Sequence, residues 1–316
     1  MNLQDFKNID VPFDALTLPS MGLFYSSRTS TLYVKYVTAR EENILTQPSL
    51  MDNGFGLDLV LDSVIINKDV PVEELLVGDM HSLMMYMRST SYGDKFPITT
   101  QCPSCSTSAE TSFYLSTLGA KEMHVMPDEN GLFEFWMPKM RINKEKVVIK
   151  FRPLTIKDER EINEVMSKEK SSEKKYTSSV TLRFEKQIVS INGIEDKNFI
   201  SKMARKFPLR DSSELRNFME EVEPVIDTNI AIKCENCGHA YTNSIELGSS
   251  IFQLDPSFKS NLWEEIFLIW YYGKGVNRSD IYNMSTVERR WSLQRISDEI
   301  EKKNQAEQAA YDKAKK

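Results

Sequence analysis

The spacing of apolar and polar residues predicts short helices and short strands that alternate along the chain. Residues 32–37 alternate as a half-buried strand does, and Thr38 ahead of Glu41 and Glu42 predicts a capped helix with acidic residues in its first turn. Asp79 is expected to cap a further helix, whose apolar positions recur at helical spacing and predict core packing. These positions are Met80, Leu83, Met84 and Met87.

The same pattern extends over the rest of the chain and predicts an α+β fold. Strands are predicted at residues 96–100, 133–137, 147–151 and 228–232. Helices are predicted from Thr155 onward, at residues 180–189, 198–206 and 211–222, and again from Trp263. The C-terminal helical region carries an aromatic cluster for which we expect core packing, with a subunit interface as the alternative. The cluster comprises Trp263, Phe267, Trp270, Tyr271 and Tyr272.

An internal repeat is the most informative feature of the sequence. Residues of the same kind recur 132 positions apart: Asp79 and Asp211, Leu83 and Leu215, Tyr86 and Phe218, Met87 and Met219, Ile98 and Ile230, Cys102 and Cys234, Cys105 and Cys237, Phe113 and Ile245, and Leu115 and Leu247. No gap is needed across this span. Chance similarity of two amphipathic helices is the alternative, but apolar periodicity alone would not fix the distance from each helix to its cysteines. We therefore expect two related helix-plus-small-sheet halves that pack with approximate two-fold symmetry.

Upstream of this span the match continues at an offset of 117, from Thr38 to Thr155. The smaller offset predicts an insertion in the second half that includes residues 168–175. We therefore expect four regions. They are an extended N-terminal segment at 1–37, a first repeat at 38–130, a second repeat at 131–254 and a C-terminal helical region with its tail at 255–316.

The four cysteines form two Cys-x-x-Cys pairs, and each pair lies in one of the predicted halves. A structural zinc site takes four thiolate or imidazole ligands, so neither pair completes a site alone. We predict that Cys102, Cys105, Cys234 and Cys237 together bind one structural zinc in a zinc-ribbon-like site that joins the halves. Gly238 suits a turn that requires positive φ after the second pair, whereas Ser106 takes this place after the first. Reduced thiols without metal and a redox-active pair remain the alternatives.

Composition and charge narrow the classes of function. The 316 residues are 41% hydrophobic and carry a net charge of −6, which gives enough apolar residues for a core and no basic stripe for nucleic acid. No run is long and apolar enough to span a membrane, and the N-terminal residues lack a signal-peptide pattern, so we expect a cytoplasmic protein. A zinc-ribbon nucleic-acid-binding or regulatory protein is the alternative function.

No catalytic constellation stands out, and we predict that the protein is not an enzyme. The histidines are His81, His124 and His239, and only His239 is close enough to a cysteine pair in sequence to serve as an alternative ligand. Gly273-Lys274-Gly275 lacks the remaining residues of a phosphate-binding loop.

Several short motifs, in this order, resemble the T-even-type myophage baseplate hub and hub-assembly protein family. They are Leu18-Pro19-Ser20-Met21-Gly22-Leu23-Phe24-Tyr25, Val37-Thr38-Ala39-Arg40-Glu41-Glu42-Asn43-Ile44-Leu45, Glu74-Leu75-Leu76-Val77-Gly78-Asp79, Arg88-Ser89-Thr90-Ser91-Tyr92-Gly93 ahead of the first cysteine pair, and Glu288-Arg289-Arg290-Trp291. The second half departs from the pattern, because Glu223-Pro224-Val225 stands where the first half has Ser91-Tyr92-Gly93.

The resemblance implies a structural or assembly protein of the phage tail baseplate that acts through protein–protein contacts. Its implied partners are other baseplate or tail proteins. A homo-oligomer is a further option, and we expect the protein to bind neither nucleic acid nor membrane. It implies that the protein is found in the host cytoplasm during assembly and in the tail baseplate of the virion if it is retained there.

Overall fold

The computed structural model describes residues 11–51, 55–170, 178–245, 247–252 and 257–315. Within these ranges the chain forms nine strands in four small antiparallel sheets, together with eleven α-helices. The strands are β1 (Phe13–Thr17), β2 (Thr31–Lys35), β3 (Lys95–Gln101), β4 (Ser108–Tyr114), β5 (Phe133–Ile142), β6 (Glu145–Phe151), β7 (Ile188–Ile191), β8 (Asn229–Lys233) and β9 (Ala240–Ser244). The helices are α1 (Ala39–Leu45), α2 (Pro48–Met51), α3 (Phe55–Val64), α4 (Val77–Tyr92), α5 (Ile156–Lys170), α6 (Ser179–Gln187), α7 (Lys197–Ala204), α8 (Leu209–Val222), α9 (Phe258–Tyr272), α10 (Arg278–Asn283) and α11 (Thr286–Ala314).

Three of the sheets are two-stranded hairpins, and the fourth has the order β5-β6-β7. In the hairpins β3–β4 and β8–β9 the two strands pair in uninterrupted register up to the cysteine turns, with Gln101 opposite Ser108 and Lys233 opposite Ala240. The α+β fold class predicted from the sequence is therefore confirmed.

Capping boxes fix the start of α1 and, in the same way, of α5. The Thr38 amide donates to Glu41 Oε2 at 2.9 Å, and the Thr155 amide donates to Asp158 Oδ2 at 3.0 Å. Each carboxylate thereby accepts a backbone N–H that the helix itself leaves without a partner. A cation on the preceding strand or just after it reinforces each box, since Lys35 pairs with Glu41 and Arg152 pairs with Asp158.

Apolar side chains form two main cores and a smaller C-terminal one. The first core packs α1, α3 and α4 against strand β2, and it includes Leu83, Met84 and Met87, so the predicted apolar stripe is a core stripe. Ile230 and Ile245 from the β8–β9 hairpin and its end also pack against this first core. The second core lies between the β5-β6-β7 sheet and helices α6, α7 and α8.

The C-terminal helices pack against α1 through a third core. This core holds Leu262, Ile266 and Ile269 of α9 together with Ile281 of α10. The five residues of the predicted aromatic cluster lie elsewhere on α9 and are about half exposed, from 47% for Phe267 to 66% for Tyr271, so the expectation of core packing is wrong for them. Beyond Ile300 the described residues of α11 are exposed, as a frayed or solvated tail requires.

Several elements differ from the sequence-based prediction. Asp79 is not a cap, because α4 begins at Val77 and Asp79 lies in its first turn. Asp211 has the same place in α8, which begins at Leu209. Strand β1, which pairs with β2 in the N-terminal segment, was not predicted. The helix predicted at residues 180–189 ends at Gln187, where the chain enters the unpredicted strand β7. Residues 171–177, within the predicted insertion, lie outside the described residues.

Candidate metal centre

Each cysteine pair forms the turn between two antiparallel strands, and both turns are held by the same two backbone hydrogen bonds. In the first turn the Cys102 amide donates to the Thr107 carbonyl at 3.0 Å and the Ser106 amide donates to the Cys102 carbonyl at 2.9 Å. In the second turn, Cys234 and Gly238 make the equivalent bonds at 2.9 Å each. Two segments of different sequence thus adopt one knuckle geometry.

The residue after each second cysteine has positive φ, as the sequence indicated. Gly238 has φ 72° and Ser106 has φ 56°. Glycine populates this region freely, whereas a residue with a Cβ is disfavoured there. The first knuckle therefore keeps its shape at a conformational cost that the second avoids.

The two knuckles face each other and bring their sulfurs together. Cys102 Sγ lies 3.7 Å from Cys237 Sγ, and Cys105 Sγ lies 3.7 Å from Cys234 Sγ. All four Sγ atoms lie within 4.8 Å of one another. The structure thus brings together all four residues that the sequence selected, although the pairs are 129 residues apart from Cys105 to Cys234.

This cluster fits a single tetrahedrally coordinated ion. Around bonds of about 2.3 Å, the sulfur–sulfur edge of a tetrahedron is about 3.8 Å. The closest pairs match that edge, and the widest separation needs only a small contraction on binding. Four thiolates in a tetrahedral arrangement select soft or borderline metals over the oxygen-preferring Ca²⁺ and Mg²⁺.

The electrostatic environment differs between the sulfurs. The Thr107 hydroxyl and amide, followed by the Asn236 side chain, lower the pKa of Cys105 to about 5. The His239 amide alone would lower the pKa of Cys237, but the neighbouring sulfurs, Cys105 foremost, raise it to about 11. A thiolate at Cys105 opposes ionisation at Cys237, and a cation bound between them would favour the thiolate form of both.

Polar contacts around the sulfurs join the two knuckles directly. Asn236 Nδ2 lies 3.6 Å from Cys105 Sγ and 3.1 Å from Thr107 Oγ1. The hydroxyls of Thr100 and Tyr241 lie 3.0 Å apart and link β3 to β9. Sequence reasoning missed these four residues. The sequence gives little indication of their role, because threonine and asparagine near a Cys-x-x-Cys pair are also ordinary turn residues.

The three histidine rings lie outside the cluster of sulfurs. The His239 ring stacks on Tyr241 with centroids 6.3 Å apart. Burial lowers the pKa of His81, which lies on α4, and His124 is exposed. Among the described residues, the cluster that could bind a metal ion consists of the four cysteines alone.

Comparison with known proteins gives one match. A family model described as "T4 bacteriophage base plate protein" matches residues 25–253, which is more than half of the chain and includes both cysteine pairs. No curated protein and no solved structure shows a significant match to the chain. In the part of the chain that the structure describes, no helix is both long and apolar enough to cross a membrane. The chain therefore belongs to the T4 bacteriophage base plate protein family.

Proposed function

We propose that this protein is a structural or assembly component of the baseplate hub of a phage tail, acting through protein–protein contacts. The observation that carries the proposal is the convergence of four sulfurs from two distant hairpins, in a chain of a baseplate family. A cross-link of this kind fixes the relative position of two units. Such fixed geometry is what an assembly component needs.

The ion at this cross-link is a structural zinc in our proposal. Zinc with four cysteine ligands leaves no open coordination position for a substrate, which suits a structural role. Structural zinc contributes on the order of 10–16 kcal/mol in small peptides, whereas a whole domain is stable by only about 5–15 kcal/mol. Even a fraction of the metal's contribution would therefore decide whether the two hairpins stay together.

We further propose that the two halves arose by internal duplication. Adding 132 to the first residue of α4 gives the first residue of α8, and the same shift places β3 over β8 and β4 over β9. Adding 117 to the Lys35–Glu41 ion pair gives the Arg152–Asp158 pair beside the second capping box. Equivalent ion pairs and helix starts are more specific than a shared apolar pattern.

A second set of long-range contacts supports the same proposal. The Ser20 amide donates to Asp79 at 3.0 Å, and the Lys139 amide donates to Asp211 at 2.9 Å. In both cases a proline precedes the donor, as Leu18-Pro19-Ser20 and Met137-Pro138-Lys139 show.

On this basis the first copy includes β1 and β2, so we propose that it begins within residues 1–37 rather than at residue 38. The boundaries at 130/131 and 254/255 stay as predicted, and the second of them lies outside the described residues.

Genetic disruption in the parent phage tests the function. We expect loss of the protein to stop baseplate formation and to leave infected cells without infectious particles, while the wild-type gene in trans restores both. Mass spectrometry of purified virions then separates a hub component, present at fixed copy number, from an assembly factor, absent from the particle. Normal baseplates in the disrupted phage would refute the proposed function.

A further inference from the structure

The second cysteines of the two knuckles, Cys105 and Cys237, correspond to each other in the repeat and share part of their surroundings. Each sulfur accepts a hydrogen bond from the backbone amide two residues later, which belongs to Thr107 in the first knuckle and to His239 in the second. Such bonds stabilise a thiolate. A contact made at one of these sulfurs and not at the other therefore distinguishes the two ligands.

Cys105 has two further polar neighbours. Thr107 Oγ1 lies 3.3 Å from Cys105 Sγ. Asn236 Nδ2, which belongs to the opposite knuckle, lies 3.6 Å from the same sulfur and 3.1 Å from Thr107 Oγ1. The side-chain amide of Asn236 carries two hydrogens and can donate to both acceptors at once. Because Thr107 Oγ1 accepts from Asn236, its own hydrogen is free to point at the sulfur when Cys105 is a thiolate.

The described part of the chain gives Cys237 no equivalent of these contacts. Subtracting 132 from Asn236 gives Ser104, an exposed residue whose hydroxyl makes no hydrogen bond to Cys237. Adding 132 to Thr107 gives His239, whose ring stacks on Tyr241 instead. Cys237 is also exposed, whereas Cys105 is only partly exposed. The four sulfurs thus form one cluster, but the contacts behind them differ between the two knuckles.

We propose that Asn236 is a positioning residue, which holds the Cys105 thiolate on the metal from the opposite knuckle and so determines how tightly the ion is retained. The inference rests on the structural zinc of the proposed function. Groups that hydrogen-bond to a metal ligand orient it, and their loss typically weakens metal binding about 10–100-fold. A hydrogen bond also withdraws charge from the thiolate and makes it a poorer nucleophile. Cys237, without these donors, is then the ligand that electrophiles attack first.

Metal affinity is the first test, measured on the full chain by competition with a chromophoric chelator. N236A removes the donor, and N236L keeps about the same side-chain volume but cannot donate. S104A, at the corresponding position of the first knuckle, is the matched control. We expect N236A and N236L each to raise the zinc dissociation constant at least about tenfold, while S104A stays within about twofold of the wild type.

Alkylation of the zinc-loaded chain is the second test. Initial rates with N-ethylmaleimide, at less than one label per chain, are assigned to single cysteines by mass spectrometry of peptides. In the wild type we expect Cys237 to be labelled before Cys105. Both N236A and N236L should raise the rate at Cys105 at least about fivefold and leave the rate at Cys237 within about twofold. General loosening of the site would instead raise both rates, and a purely steric shield would leave N236L like the wild type.

Three results would overturn the inference. They are wild-type zinc affinity or wild-type labelling in N236L, an equal rise at both sulfurs in the variants, and labelling of Cys105 ahead of Cys237 in the wild type. The last of these needs no variant, so the inference stays testable if a substitution prevents folding.

Failure of this inference is distinguishable from failure of the proposed function. A wild-type chain that binds zinc but gives one of the three results refutes the role of Asn236 and leaves the structural zinc standing. A wild-type chain that binds no zinc refutes the structural zinc and this inference together. The assembly role in the baseplate is tested separately, by disruption of the gene.

Discussion

Two buried aspartates, Asp79 and Asp211, bind backbone amides that lie 59 and 72 residues earlier in the chain. The Tyr25 hydroxyl also donates to Asp79 at 2.5 Å and accepts from the Leu76 amide at 3.0 Å. Burial raises the pKa of Asp79 above its ordinary value, and burial also raises the pKa of Tyr25. Asp79 therefore ties an N-terminal turn to α4, and Asp211 ties strand β5 to α8.

In the proposed zinc site both cysteine pairs contribute ligands, so removing one sulfur from either pair should have the same effect. We expect C102S and C234S each to reduce bound zinc from one per chain to nearly none and to lower the free energy of unfolding by about 3–5 kcal/mol. Metal analysis of protein purified without chelator and chemical denaturation measure the two quantities. S104A, at an exposed position between the first two cysteines, is the control and should change neither. Clearly unequal losses for the two cysteine variants would contradict a shared ion.

The acids of the two capping boxes are held in their charged form. Burial alone would raise the pKa of both, but hydrogen bonds from Ser63 and Thr38 and the charge of Lys35 bring the pKa of Glu41 below 4.5. The pKa of Asp158 falls below 3.8 through hydrogen bonds from its paired arginine and its capping threonine, although burial opposes them. A carboxyl group whose folded pKa is lowered stabilises the fold fully above its unfolded pKa, and this stabilisation is lost as the pH falls through the folded value.

We therefore expect E41Q and D158N each to cost about 1.5–3 kcal/mol at pH 7, since each removes a charge that accepts several hydrogen bonds. The difference from the wild type should shrink as the pH falls below about 4, where the native carboxylates also become protonated. Urea denaturation at a series of pH values measures this. E164Q on α5, whose acid forms only an exposed ion pair, should stay within about 0.5 kcal/mol of the wild type throughout. A cost for the capping variants that persists at the lowest pH would show that shape, and not charge, matters at these positions.

At the scale of elements, a close approach explains a glycine in the first turn of α4. A Cβ at Gly78 would lie 2.0 Å from the Pro224 carbonyl oxygen. Alanine is the better helix former by about 1 kcal/mol, but the overlap with backbone cannot be relieved by turning a side chain. The segment that follows α8 is thereby packed directly against the start of α4.

G78A should accordingly destabilise the protein by about 1–3 kcal/mol in spite of its better helix propensity. Thermal unfolding followed by circular dichroism measures the change. G119A is the matched control, because no atom lies within 4 Å of a Cβ built there. A G78A variant as stable as the wild type would mean that the contact with Pro224 relaxes freely.

Local patterns predict most of these elements, and the failures have physical causes. Strands β6 and β8 and helices α7 and α8 follow their apolar periodicity. The repeat, together with the four ligands that a zinc site takes, predicts that the four cysteines meet. Strand β7 follows α6 without a break, so its apolar residues continue the helical pattern. Asp79 is a residue type that often caps helices, but its carboxylate accepts a hydrogen bond from the distant Ser20 amide. The exposure of the aromatic residues of α9 depends on which face of the helix packs against the third core. Both outcomes depend on long-range contacts, which the local sequence does not indicate.

For the whole molecule, a buried ion pair ties the C-terminal helices to the first half. Arg289 is 1% exposed and Glu42 is 0% exposed, and the two are hydrogen-bonded to each other. Arg289 Nε also donates to Glu265 on α9 at 2.7 Å. One arginine thereby connects α1, α9 and α11.

We expect R289M to cost about 3–5 kcal/mol, because it leaves Glu42 buried without a counter-ion. The double variant E42L/R289M should be less damaging than R289M, since it removes both charges. R295M, on the exposed surface of the same helix, is the control and should cost less than about 1 kcal/mol. Denaturation curves for the wild type, E42L, R289M and the double variant give the coupling energy, and a double variant worse than R289M would rule out the charge explanation.

The distance between the two cysteine pairs along the chain affects the order of events during synthesis. Ribosomes add about 5–20 residues each second, so the second pair is made roughly 7–25 s after the first. Throughout that interval the first hairpin can form, but it has only half of a coordination shell. In the proposed zinc site, metal capture must wait for the second pair, and we expect metal starvation to delay folding of the chain before it lowers the amount of protein made.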